Sequence, residues 1–243
     1  MMQIMNKKTM QLNIESLNKD FEDKSPQQIL EWALENFHPK IALASSFGAE
    51  DIVLIDMMKK INSDARIFTL ETSRLHQETY DLMDKVKARF GDLEVYYPDT
   101  AEVEDMVQKH GVNLFYNSVE MRKLCCRVRK IGPLNRALSS LDSWITGLRQ
   151  DQAASRSDTR KIEIDKAHRG IIKINPLIDQ TSEDVWNYIR ENNLPYNALH
   201  DSGYPSIGCA PCTRAVKPGE DARAGRWWWE PREQSECGLH VKA

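Results

Sequence analysis

Apolar positions along the chain alternate between two spacings. In "KSPQQILEWALENF" Ile29, Leu30, Trp32, Ala33 and Phe37 recur at helical spacing, behind Ser25 as a cap and Pro26 in the first turn. "KIALASS" (40–46) is instead a short apolar run, which predicts a buried strand. The alternation then repeats. "FGAEDIVLIDMMKKI" predicts a loop opening into a helix, "RIFTL" (66–70) a strand and "HQETYDLMDKVKARF" a helix. "LEVYYP" predicts a third strand and "AEVEDMVQKHG" another helix. This order predicts an α/β fold, a mostly parallel twisted sheet with helices on both faces. "SWITGL" (143–148) predicts a further strand, and "KIEID" with "IIKIN" a hairpin pair near the sheet edge. Thr181 and Asp184 form a capping box before the apolar stripe of "TSEDVWNYIRENN". Beyond about residue 195, glycine, proline and aromatic residues crowd in and the periodicity stops. The expected organisation is one α/β domain over 1–225 and a loop-rich, mobile C-terminal tail over 226–243.

Composition adds limits rather than direction. The 243 residues are 41% hydrophobic and 28% charged, ordinary for a soluble globular chain with one sizeable core. A net charge of -3 gives no bulk attraction to nucleic acid or to an anionic membrane. No apolar run approaches the roughly 18 residues of a membrane span. "MMQIMNKKTMQLNIESL" has no apolar segment of the secretory kind, so a cytoplasmic protein with reduced thiols is expected.

The five cysteines are grouped as an adjacent pair, a C-x-x-C and one left over: Cys125 with Cys126, Cys209 with Cys212, and Cys237. An odd number argues against a closed disulfide framework. Four thiolates in two pairs suit one soft metal centre, and both zinc and iron–sulfur clusters accept four cysteines. An adjacent pair is awkward for zinc, because neighbouring side chains diverge along the backbone. A [4Fe–4S] cube accepts such a pair, since each ligand binds a different iron. Spacing alone leaves both metals open, along with buried core thiols and a transient disulfide.

"ASSFGAEDIVL" places Ser45, Ser46 and Gly48 between a strand and a helix, where unpaired helix N–H groups can meet an anion. Neither a Walker loop nor a G-x-G-x-x-G fingerprint is present. "SSFGAED" resembles the modified pyrophosphate loop of the sulfonucleotide reductases, the adenylyl-sulfate and phosphoadenylyl-sulfate reductases. That resemblance implies the pyrophosphate-loop version of the α/β fold, as in the adenine nucleotide alpha hydrolases. The chain lacks the second glycine and final serine of the S-G-G-x-D-S loop of ATP pyrophosphatases, which points away from ATP cleavage. "TLETSRLHQETYDL" (69–82) is similar to the family's nucleotide-binding L-D-T-G-R-L stretch, with Glu71 for Asp and Ser73 for Gly.

"LCCRVRKIGPL" and "GCAPCTRAV" resemble the cluster motifs of the iron–sulfur-containing, assimilatory adenylyl-sulfate branch. The match implies one [4Fe–4S] cluster on Cys125, Cys126, Cys209 and Cys212. "WITGLRQDQAASRS" is similar to the family's arginine-bearing segment, with Gln150 where a second arginine is common. The resemblance implies substrate contacts from Ser45, Ser46, Gly48, Leu70, Thr72, Lys130, Arg149, Arg156, Arg223, Arg226 and His240. The arginine fork suits phosphate and sulfate oxygens. "RWWWEP" also fits a packed anchor for the tail. "ECGLH" resembles the family's catalytic signature and implies Cys237 as the nucleophile. Its thiolate would attack the sulfur of adenylyl sulfate, release AMP and form an S-sulfocysteine. Thioredoxin or a similar dithiol reductant would then free sulfite. His240 is placed to help that thiol ionise, or is a solvated tail histidine. No nucleic acid or membrane partner is expected, and a homo-oligomer is. The nearest alternative is a phosphoadenylyl-sulfate or dual-substrate reductase. More distant ones are a pyrophosphate-loop transferase and a four-cysteine zinc protein that binds nucleic acid.

Overall fold

Residues 12–152 and 156–231 are described by the computed structural model. Six strands order as β3-β2-β1-β4-β6-β5. They are β1 (Ile41–Ser45), β2 (Arg66–Leu70), β3 (Glu94–Tyr96), β4 (Ser143–Ile145), β5 (Ile162–Asp165) and β6 (Ile171–Ile174). All neighbours run parallel except β5 and β6, the expected hairpin at the edge. β1 lies centrally, with Leu43 in register with Ile67 on one side and Ile145 on the other.

Eight α-helices are described: α1 (Ile14–Asp20), α2 (Pro26–Phe37), α3 (Ala49–Ile61), α4 (Gln77–Phe90), α5 (Thr100–His110), α6 (Val119–Cys126), α7 (Gly132–Leu138) and α8 (Ser182–Glu191). Two of them begin on full capping boxes, Ser25 with Gln28 and Thr181 with Asp184, as their sequences require. The two-residue alternation of β1 sends Ile41 and Leu43 to one face and Ala42 to the other. The first face is covered by α2, α3, α4 and α8 through Ile29, Leu30, Ile52, Leu54, Leu82 and Ile189. The second is covered by α7, whose Leu134, Ala137 and Leu138 pack on Phe68 and Trp144. A third, smaller apolar group joins Met106, Phe115 and Val128 to Cys212 and Trp227. Among the described residues no helix is long and apolar enough to cross a membrane.

Two helical features exceed the sequence expectation. Asn13 caps α1 by accepting from the Ser16 N–H. α6 and α7 are joined by a π-helical turn, Arg127–Ile131, into one helical stretch that carries the adjacent cysteines. Arg226 through Glu230, expected as the start of the tail, are fixed against the body of the protein. Arg226 pairs with Thr213 in an isolated bridge, the Trp227 N–H donates to Cys212 O at 3.2 Å, and the Glu230 N–H to Trp227 O at 2.8 Å.

Candidate active site

The carboxyl ends of β1, β2 and β4 frame the site, as parallel sheets dictate. After β1, Ser45 Oγ accepts from the Phe47 N–H at 3.1 Å, holding Phe47 at a φ of 60° with its ring buried. Ser46 donates to Asp51 Oδ2 twice, from its N–H at 2.6 Å and its hydroxyl at 2.9 Å. Gly48 is the N-cap of α3 and has no side chain to compete for the helix's first N–H groups. Burial pushes the Asp51 carboxyl up to about 6, with help from the Glu50 charge and against the Ser46 hydrogen bonds. Gly147, just past β4, lets that carboxylate approach closely; a Cβ there would lie 3.0 Å from Glu50 Cβ and collide with Asp51.

Glu50 ties the loop to the segment after β4. Its Oε1 accepts from Arg149 Nε and from Gln152 Nε2, both at 2.9 Å. Arg149 also donates to Asp151 and to Gln180 O, so protein acceptors hold its buried guanidinium on several sides. Arg156 donates to Gln152. Arg149 and Arg156 thus join one network with Glu50 at the head of α3.

Past β2 the chain runs through Leu70, Glu71, Thr72 and Ser73. Ser73 takes a left-handed φ of 57°, and Glu71 Oε1 braces that turn by accepting from the Ser73 N–H and from Tyr80 Oη. Thr72 faces the cysteines: its Oγ1 lies 3.3 Å from Cys209 Sγ, and its carbonyl accepts from Arg129 Nη1 at 2.8 Å. The two departures from the L-D-T-G-R-L pattern therefore work as a pair, with the Glu71 carboxylate stabilising the conformation Ser73 adopts.

Cys125 and Cys126 end α6, and Cys209 caps the short 3-10 turn Ala210–Cys212 that Cys212 ends. All four line one cavity, together with Arg74, Arg122, Arg129, Lys130 and Arg226. All four are free thiols. Burial pushes the Cys212 thiol up to about 12. Burial also raises Cys125, against the pull of Arg129, Arg74 and Lys130. Burial works against the Arg122 cation, yet Glu230 and Cys126 hold its pKa above the ordinary arginine value. Among the described residues no three His, Cys, Asp or Glu side chains are grouped to hold a single ion. Four soft donors ring a cationic cavity instead, a donor set and charge that fit an anionic iron–sulfur group.

Arg226 is 8% exposed, packs flat against Gly208, stands 4.8 Å from the Trp227 ring, and donates to Ser206 Oγ at 3.3 Å and Ile207 O at 3.2 Å. His76, the N-cap residue of α4, has its Nε2 buried without a partner; burial, then the Arg226 charge, lower its pKa. Of the residues expected at the site, Lys130 and Arg226 reach the cysteine cavity, and Thr72 contacts Cys209 directly. Ser45, Ser46, Gly48 and Leu70 sit at the adjoining strand ends. Arg223 lies in the preceding turn, its N–H donating to Asp221 Oδ1 at 2.8 Å, and does not line the cavity. Cys237 and His240 lie outside the described residues. Sequence reasoning missed Arg74, Arg122 and Arg129 as cavity-lining cations and Glu230 as a partner. Arg122 carried one signal, its place one helical turn before Cys126.

The phosphoadenosine phosphosulfate reductase domain matches residues 40–215. The adenosine 5'-phosphosulfate reductase of Burkholderia cepacia is 50% identical over 205 residues, 84% of this chain and 82% of that protein. That of Pseudomonas aeruginosa is 45% identical over 235 residues, 94% of this chain and 87% of its own. A crystal structure of phosphoadenylyl-sulfate reductase from Candida auris, in complex with phosphate, superposes with a TM-score of 0.73. It is 34% identical and covers 85% of this chain and 97% of its own. On the domain match and these identities, over a sheet with the described strand order, the chain belongs to the phosphoadenosine phosphosulfate reductase domain family.

Proposed function

We propose that the protein reduces adenylyl sulfate to sulfite and AMP, with thiols supplying the electrons. One observation carries the reading: four cysteines from distant segments line a cavity with five cations, and Thr72, just past the end of β2, contacts Cys209. The Cys237 thiolate attacks the sulfuryl sulfur. The S–O bond to phosphate breaks, AMP leaves, and Cys237 becomes an S-sulfocysteine. A dithiol protein such as thioredoxin then attacks the Cys237 sulfur, sulfite departs with the S–S electron pair, and the second thiol resolves the mixed disulfide. Sulfur gains two electrons and the dithiol loses two.

Leu70 and Thr72 hold the nucleotide, and Ser45, Ser46 and Gly48 present the loop to its anionic end. Lys130 and Arg226 stabilise the sulfuryl oxygens, where fixed cations in a dry cavity act most strongly. Arg149 and Arg156 fasten the segment after β4 through Glu50 and Gln152. Arg223 and His240 are assigned to binding the substrate's anionic groups, as the family resemblance implies. Cys125, Cys126, Cys209 and Cys212 hold a [4Fe–4S] cluster. When bound, the cluster supplies fixed negative charge that keeps the surrounding cations aligned. Zinc would draw the four sulfurs onto one ion, whereas iron corners take adjacent thiolates singly. The reaction needs reduced thiols, which suits the cytoplasm, and the working form is a homo-oligomer.

The test is mass spectrometry of protein incubated with each nucleotide and no reductant. With adenylyl sulfate, one SO3 unit should appear on the Cys237 peptide with matching AMP, and sulfite only once thioredoxin is added. Cys237→Ser should form no adduct while retaining iron and AMP binding. Preferential reaction of the 3'-phosphorylated nucleotide would assign the phosphoadenylyl-sulfate reaction instead, and turnover by the serine variant would remove Cys237 from the mechanism.

A further inference from the structure

Glu230 is the last residue but one of the described chain, seven positions before Cys237, and it is buried in an ion pair. Its carboxylate accepts from Arg122 in bidentate fashion, from Nε at 3.0 Å and from Nη2 at 2.7 Å. The side chains are 1% and 2% exposed. Arg122 lies four residues before Cys126 on α6, on the same helix face, and its guanidinium stands 4.7 Å from the Trp227 ring. One arginine therefore touches the helix that carries the adjacent cysteines, the tryptophan bonded to Cys212, and the root of the tail.

Burying two charges is a costly way to fasten a chain end. Apolar side chains of similar volume commonly do as well or better, so a buried pair of this kind needs a reason beyond stability. Direction supplies one. A bidentate fork fixes both the distance and the plane of its partner, which apolar packing does not. Cys237 lies seven positions after Glu230 in sequence, a contour of at most about 24 Å, so fixing Glu230 limits how far the thiol can lie from Arg122.

We propose that Arg122 and Glu230 are positioning residues: their ion pair registers the root of the tail on the cysteine-bearing helix, and so aims Cys237 at the sulfuryl group. The two side chains are enclosed and engage each other, so the pair acts through the tail rather than by binding substrate. Its effect falls on the rate of thiol attack rather than on nucleotide affinity. The inference rests on Cys237 being the nucleophile.

The experiment is single-turnover sulfonation of Cys237 by adenylyl sulfate, without reductant, in the full-length protein and in Glu230→Gln and Glu230→Asp. Glutamine keeps the shape and removes the charge. Aspartate keeps the charge and shortens its reach. The limiting rate should fall by about tenfold or more in Glu230→Gln. The half-saturating nucleotide concentration should stay within about twofold. Iron content and AMP affinity should be unchanged, and Glu230→Asp should fall between. Equal limiting rates in all three proteins would overturn the proposal. So would parallel losses of iron, AMP affinity and rate, which mark a purely structural pair. If Glu230→Gln does not fold, wild type against Glu230→Asp decides by the same criteria. Absence of any adduct on wild-type Cys237 would instead refute the proposed reaction itself.

Discussion

Gly208→Ala tests the role of Arg226 without removing its charge. A Cβ built on Gly208 would stand 2.6 Å from Arg226 Cζ and 3.1 Å from Nε. Ordinary contact begins near 3.4 Å, so the guanidinium must retreat by on the order of 1 Å. The backbone is no obstacle, because Gly208 is not among the glycines at positive φ. The guanidinium has little freedom to accommodate the methyl group: it is held by Ser206 Oγ and Ile207 O and packed by the Trp227 ring. A shift of that size spoils a charge-assisted contact to sulfuryl oxygens, an interaction of about 1.5–3 kcal/mol. That corresponds to a loss of roughly 10- to 160-fold in the rate of thiol attack. The assay is AMP release in a single turnover, beside equilibrium binding of AMP. The rate should fall by that factor with AMP affinity retained. Wild-type rate in Gly208→Ala would show that Arg226 does not act on the transferred group. An equal loss of AMP affinity would place it on the nucleotide phosphate.

Two further substitutions probe the strand-end turns. Asp51 titrates near 6 in the folded protein against 3.8 for the ordinary carboxyl. The folded state thus keeps this proton longer than the unfolded one, and stability falls by on the order of 3 kcal/mol as pH rises through that window. Asp51→Asn should remove the slope and leave the protein more stable than wild type above about pH 6; urea midpoints of the two proteins that stay parallel from pH 4 to 7 would contradict it. Ser73→Gly should raise the urea midpoint by an amount equivalent to up to about 1 kcal/mol, because it relieves a left-handed serine while the Glu71 bond to the backbone N–H persists. A lower midpoint would mean that the serine side chain stabilises the turn more than its φ costs.

The centre of the sheet was legible because β1, β4 and β6 are buried almost throughout and α2 and α8 carry full capping boxes in their own sequences. Ser25 and Thr181 cap as their spacing requires, and "KIALASS" and "RIFTL" have no reading other than buried strands at that length. The stretch from α6 to α7 was not legible, for a local reason. Gly132 and Pro133 weaken any helical signal there, since proline lacks an N–H and disfavours helical backbone before it. The π turn absorbs that conflict: the Gly132 N–H donates back to Arg127 O, five residues earlier, and the helix resumes with Pro133 in its first turn. α1 is a two-turn helix whose stripe of Ile14, Leu17 and Phe21 is short, and none of the residues within the helix is fully buried, so its signal is weak.

The site divides along similar lines. Cysteines announce themselves by type and spacing, and the two pairs do meet. Arginine and lysine do not, because solvation is their default, and nothing in the sequence tells an inward cation from an outward one. Arg122 and Glu230 are 108 positions apart, and only the fold brings them together. The net charge of -3 is uninformative for the same reason. It sums the whole chain and cannot show that five cationic side chains line one cavity with four cysteines. Burial holds Cys125 and Cys212 towards the neutral thiol, which leaves that cavity rich in positive charge. Metal coordination reverses the balance by deprotonating each thiol outright. Under the proposed reaction, the cations that would then face thiolates on one side would face sulfuryl oxygens on the other, so the charges that favour filling the cavity would also prepare the place of attack by Cys237.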